Sequence, residues 1–247
     1  MSGRIFLLRR PIGTATFSGM NLPPHAFGKA GAPPDTVDRL LLAHYGPYRI
    51  PKKTHLLDEL LYFMLSTRTT TPACETAFRA FKRLFPHHRQ IPDTPADILA
   101  APLRGVGLAQ RRASDIQASW RLIRKRFGRV TLAPLRRMPV AEAEAFLVSL
   151  PGIGVKVARC FLMFGLHAPV FAVDTHIWRI SQRLGWLADQ KGGAPHQKGV
   201  DALQALVPMT DPVSLHVNLI FVGRDFCNAR EQNCPACPLR AVCPSAN

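Results

Sequence analysis

One tight glycine turn constrains this chain more than any other stretch. Pro151-Gly152-Ile153-Gly154 separates two apolar runs at helical spacing, residues 143–150 and 155–164. Glycine is the residue for sharp turns and for close approach of the backbone to another group. The segment therefore predicts helix, hairpin, helix. Two chemically capable side chains follow the turn. Lys156 comes two residues after the second glycine, and Asp174 eighteen residues after the lysine.

The rest of the chain reads as helix after helix. Residues 54–65 carry Leu56, Leu57, Leu60, Leu61, Met64 and Leu65 as an apolar face. Thr71-Pro72 and Thr94-Pro95 read as helix starts, each an N-cap followed by a proline in the first turn. Residues 103–110 form a glycine-containing loop, and a long helix over 111–127 ends at Gly128, a suitable C-terminal cap. Asp174 opens a helix that Gly185 stops. No run alternates apolar and polar residues between turns, so the predicted fold class is all-α. Residues 1–34 contain no acid and read as a basic, disordered tail.

Charge points to the partner. Thirty-two basic residues against 16 acidic ones give a formal charge of +16. Much of the excess lies in one run: Arg104, Arg111, Arg112, Arg121, Arg124, Lys125, Arg126, Arg129, Arg136 and Arg137, with Asp115 the one acid within it. Such a run suits a polyanion, above all nucleic acid. A membrane surface fits less well, because the arginines do not face an exposed apolar stripe. No apolar run is long enough to cross a bilayer.

Four of the six cysteines fall near the C-terminus as Cys227, Cys234, Cys237 and Cys243, at intervals of six, two and five residues. Four thiolates in a short loop suit zinc or an iron–sulfur cluster. Only Cys234 and Cys237 form the close pair that a zinc site usually has twice, so the spacing favours [4Fe–4S] without deciding it. Cys74 and Cys160 lie on apolar helix faces and read as core residues.

Three of these features together resemble the endonuclease III family of DNA glycosylases, in the helix-hairpin-helix superfamily. Leu150-Pro151-Gly152-Ile153-Gly154-Val155-Lys156 is similar to the family hairpin with its catalytic lysine. Val173-Asp174-Thr175-His176 is similar to the segment with its catalytic aspartate. The Cys-x6-Cys-x2-Cys-x5-Cys spacing resembles its [4Fe–4S] loop. The resemblance runs over about residues 35–243. It implies a six-helix barrel over 49–168, an iron–sulfur domain from 35–48 and 169–247, and a DNA-binding cleft between the two. It implies a monomer acting on double-stranded DNA with a damaged base or an abasic site.

In that reading Lys156 attacks C1′ of the sugar as a Schiff-base nucleophile, and Asp174 stabilises the developing positive charge. Lys156 lies in the first turn of its helix, where the dipole disfavours the protonated amine. Backbone amides at Gly152, Ile153, Gly154 and Val155 grip phosphate. Leu108 matches a family wedge residue that fills the gap left by a flipped base. The second gap-filler falls at Arg68, where the family commonly has glutamine; the family also commonly has aspartate at the position of Thr71. These departures bear on substrate choice. Oxidised pyrimidines are the first expectation, with a modified cytosine or 5-substituted uracil as the alternative. The latter draws on a similarity of residues 173–186 and 237–240 to plant 5-methylcytosine glycosylases. A non-catalytic damage sensor of the same fold is the competing reading.

Overall fold

A computed structural model describes residues 31–50, 55–187, 193–207 and 211–246. Their regular elements are all helices, and the one β-bridge among the described residues, Cys227 with Gln232, belongs to no strand. The fold is all-α. The chain divides into two compact units: one is described over residues 55–168, the other over 31–50 and the described residues from 169 onward.

The first unit contains six α-helices: α2 (Leu56–Ser66), α3 (Thr71–Leu84), α4 (Ala96–Ala100), α5 (Ala109–Phe127), α6 (Val140–Val148) and α7 (Val155–Gly165). On α3 the buried residues are Cys74, Ala77, Phe78 and Phe81, the i, i+3, i+4, i+7 stripe of a helix with one face in the core. On α2 burial runs unbroken from Glu59 to Leu65, and on α7 from Val157 to Gly165. These two helices pack on each other at the centre of the unit. Their approach is close: a Cβ on Gly165 would lie 2.5 Å from Glu59 Oε2. Trp120 of α5 is fully buried, and its indole N–H donates to His88 Nδ1 at 3.2 Å.

The second unit contains α1 (Pro34–Tyr45), α8 (Thr175–Arg183), α9 (Gln197–Leu206) and α10 (Pro212–Asp225). Helix α10 is buried from Pro212 to Gly223 and packs against α1 and α8. Two of its buried polar side chains bond backbone carbonyls outside the helix, while Asn218 Oδ1 has no partner. His216 Nδ1 lies 2.8 Å from Ala172 O, and Asn218 Nδ2 donates to Gly46 O at 3.1 Å.

Several boundaries differ from expectation. The helix at 71 takes in Thr71 itself, because Cys74 N already bonds Thr70 O at 2.9 Å and makes Thr70 the cap. The start at Thr94-Pro95 yields five α-helical residues, followed by a 3-10 turn over Ala101–Val106 where a loop was expected. Helix α9 begins at Gln197, where His196 Nδ1 accepts from Gly199 N at 3.2 Å and caps it. Residues 31–34 are packed rather than tail-like: Trp186 Nε1 donates to Ala32 O at 2.8 Å, and Ala32 N bonds Val242 O at 3.3 Å. The remainder of the predicted tail, 1–30, lies outside the described residues.

Candidate active site and cysteine centre

The hairpin joins α6 to α7 through a turn at Pro151-Gly152. Gly152 has φ +75°, the left-handed region that suits glycine. A Cβ there would meet the Asp115 side chain at 3.0 Å, so glycine is required by backbone and by packing. The turn is anchored to α5, where the buried Ser119 hydroxyl donates to Pro151 O at 2.9 Å. The two arms are joined by a part-buried ion pair, Arg159 Nε to Glu144 Oε1 at 3.0 Å.

Of the two cations on α7, Arg159 is thus buried and Lys156 exposed. The helix reaches the surface at its first turn, which is where Lys156 stands. Gly154 caps the helix, and the amides from Gly154 to Val157 are the ones an α-helix leaves without intrahelical partners. Ile153 behaves differently from its expected role as a phosphate contact. Its side chain is 5% exposed and its amide donates to Leu150 O at 3.2 Å, so it anchors the turn.

Arg68 and Leu108 come together in the same unit. Both adopt left-handed backbone conformations, at φ 51° and 49°, which are uncommon outside glycine and mark positions held by their surroundings. Leu108 is 68% exposed, an unusual state for a leucine. Both line a cavity of about 150 Å³, together with Met64, Arg112, Asp115 and hairpin Gly152. The two expected gap-fillers and the hairpin therefore border one space.

In the other unit Asp174 is the N-cap of α8. Its Oδ1 accepts from His176 N and Ile177 N, both at 2.9 Å, and Oδ2 takes no part in the cap. The cap fixes the carboxylate and leaves it partly exposed.

The four C-terminal cysteines converge on a cavity of about 60 Å³, bordered also by Arg183, Arg240 and Phe226. Arg183 Nη1 lies 2.9 Å from Cys227 Sγ. Burial, and then the neighbouring thiols, push Cys237 up to about 12. Four thiolates there need compensating positive charge, which a metal or an iron–sulfur core supplies. The donor set fits such a group. Cys74 and Cys160 are buried core residues, as expected.

Residues 61–202 match the model of the HhH-GPD superfamily base excision DNA repair proteins. Endonuclease III of Bacillus subtilis is 33% identical over 172 residues, which are 67% of this chain and 71% of that protein. The chain belongs to the HhH-GPD superfamily, the DNA glycosylase family that includes endonuclease III. DEMETER-like protein 2 of Arabidopsis thaliana is 31% identical over 154 residues, 56% of this chain but 11% of that protein, so this chain spans a small part of that relative's length. A solved structure of endonuclease III in a non-covalent complex with DNA shares the fold, with TM-score 0.71 and 22% identity over 86% of this chain and 94% of the other.

Within this HhH-GPD chain the basic run is not all available to a ligand. Arg124 makes two bonds to Asp93, Arg121 donates to Pro92 O, Arg126 lies 3.6 Å from Glu142, and Arg112 is turned inward. Composition cannot distinguish these from Arg104, Lys125, Arg129, Arg136 and Arg137, which are exposed. His55, Asp58 and His88 bring metal-ligand atoms within 4.8 Å of one another, another grouping the sequence did not signal. It is a closed polar network instead. Trp120 can only donate to His88 Nδ1, so Nε2 carries the ring proton and donates to Asp58 Oδ1 at 2.6 Å. Lys82 Nζ stands 2.8 Å from the same oxygen, in the place of a cation. Burial holds His88 below the usual imidazole range, which agrees with a neutral ring.

Proposed function

We propose that this protein is a bifunctional DNA glycosylase and abasic-site lyase that removes damaged pyrimidines, above all oxidised ones, from duplex DNA. The observation that carries the reading is Lys156, exposed on the first turn of an otherwise buried α7 and directly behind a glycine hairpin, in a chain of the HhH-GPD superfamily. The Lys156 amine attacks C1′ as the base leaves. The sugar opens and the C1′–nitrogen bond becomes a Schiff base. The imine acidifies the C2′ proton, and β-elimination breaks the strand on the 3′ side. Asp174 supplies a fixed carboxylate for the positive charge that develops on the sugar. Gly154 and Val155 offer amides to a phosphate, while Arg68 and Leu108 fill the space of the flipped base.

The four cysteines hold a [4Fe–4S] cluster in this reading. When bound, the cluster supplies the positive charge that lets all four thiols ionise. Arg183 orients Cys227, and the loop is ordered around them. A second substrate reading, a modified cytosine or 5-substituted uracil, draws on the similarity to DEMETER-like protein 2. The test is borohydride trapping on a duplex with an abasic site. Wild type should give a covalent adduct that Lys156→Ala abolishes. Tight binding with no wild-type adduct would favour the non-catalytic damage sensor. Excision from duplexes carrying thymine glycol, 5-hydroxymethyluracil or 5-methylcytosine then separates the substrate readings.

A further inference from the structure

Arg112 has the donor geometry of a clamp. A guanidinium carries five N–H groups in a fixed plane. Here Nε donates to Gly107 O at 3.0 Å. Nη1 donates to Met64 O at 2.8 Å and Thr67 Oγ1 at 3.3 Å. Nη2 donates to Thr67 O at 2.7 Å and Thr69 Oγ1 at 3.2 Å. Five donors meet five acceptors, and every acceptor is an uncharged carbonyl or hydroxyl. No N–H remains for a phosphate, although the residue sits inside the basic run.

The acceptors belong to two separate places: Gly107, and the end of α2 with the turn after it, Met64, Thr67 and Thr69. Thr67 and Thr69 flank Arg68, and Gly107 precedes Leu108. The main chain adds one more tie, Arg112 N to Leu108 O at 2.9 Å. One side chain therefore holds both left-handed residues, Arg68 and Leu108, beside the cavity they share. A left-handed arginine and a left-handed leucine each carry backbone strain relative to ordinary conformations. Something must hold them there, and the guanidinium is bonded to the residues on either side of Arg68 and to the one before Leu108.

We propose that Arg112 is a positioning residue that fixes the two turns in one register, so that Arg68 and Leu108 enter the helix together as a single probe. This rests on the glycosylase reading above. It predicts that Arg112 matters only where there is an opposite base and a stack to invade. It also predicts that lysine cannot replace it, because an ammonium keeps the charge but has three donors in place of five.

The experiment uses full-length protein with its cluster, and the variants Arg112→Lys and Arg112→Gln. Borohydride trapping rates are measured on an abasic duplex and on the same abasic strand without its complement. Both variants should lose about 10²-fold on the duplex, the scale of a small misplacement of positioned groups. Both should keep the wild-type rate on the single strand. In an Arg68→Ala/Leu108→Ala background, adding Arg112→Gln should cost nothing more. A full duplex rate in Arg112→Lys would overturn the clamp in favour of simple charge. An equal loss on both substrates, or effects that multiply in the triple variant, would overturn it in favour of general stability. If wild type forms no adduct at all, the lyase reading fails, and amide exchange judges the clamp alone. Faster exchange at 66–69 and 107–108 in Arg112→Lys, with α2 and α5 unchanged, supports it; unchanged exchange in those turns sinks it.

Discussion

The α6–α7 hairpin and the C-terminal cysteine loop are held in opposite ways. The hairpin rests on a core: Leu147, Leu150, Ile153 and Val157 are buried, Ser119 bonds its turn, and Arg159–Glu144 joins its arms. Over residues 227–246 the buried side chains are Leu239, Val242 and Ala246, and the secondary structure is two 3-10 turns and one isolated bridge. Apolar burial contributes about 25 cal/mol per Å², so three side chains give such a loop little. The hairpin carries its own stability into whatever it binds. In the proposed cluster-bound protein the cysteine loop takes its stability from what its thiols bind.

The hardest test of that contrast is Cys237→Ser in the cluster-loaded protein. Visible absorbance should fall, and the amides of 227–246 should lose exchange protection, while those of 156–165 keep theirs. Loss of protection in both regions would show that the hairpin is not self-supporting.

The support beneath the hairpin can be sharpened through Glu59, which lies on α2 against Gly165 of α7. It is 2% exposed, its Oε2 has no hydrogen-bond partner, and burial raises it from 4.5 to about 7. A raised carboxyl stays protonated in the fold at pH values where the unfolded chain has ionised. Stability is therefore full below about pH 4.5, falls as pH rises toward about 7, and stays reduced above that. Glu59→Gln should add about 2–3 kcal/mol at pH 8 and nothing at pH 4. Equal denaturation midpoints for the two proteins at pH 8 would count against it.

Gly152→Ala should have the smallest effect on stability, about 1–2 kcal/mol from the left-handed backbone, with Asp115 forced to shift. The same variant should weaken binding to duplex DNA while leaving absorbance from the cysteine loop unchanged. A calorimetric scan with a salt-matched binding titration reads both. A loss confined to stability would separate the turn from the DNA contact.

Much of this was legible in the sequence. The glycines of the hairpin, the cap at Asp174 and the cysteine spacing are local signals, because turn geometry and ligand spacing act over a few residues. Gly128 at the end of α5 and the apolar stripe on α3 follow from the same short-range rules. The short α4 did not, since its length depends on the 3-10 turn that follows it and packs on α3.

What only the tertiary structure decided is how residues of the same type divide their work. Arg112 and Arg111 are neighbours in one basic run, yet Arg112 turns its donors to nearby Gly107 and to distant Met64, Thr67 and Thr69, while Arg111 is exposed. Glu59 and Asp58 are adjacent acids. One is buried with an unpartnered oxygen, while the other lies within 2.8 Å of Lys82 and within 2.6 Å of His88. By itself the sequence determined that this chain is all-helical, that a glycine hairpin precedes Lys156, and that four thiols share a short loop. It could not determine which cations face inward. Donor geometry depends on acceptors 43 to 48 residues away, and those are brought within reach only when α2 and α5 pack.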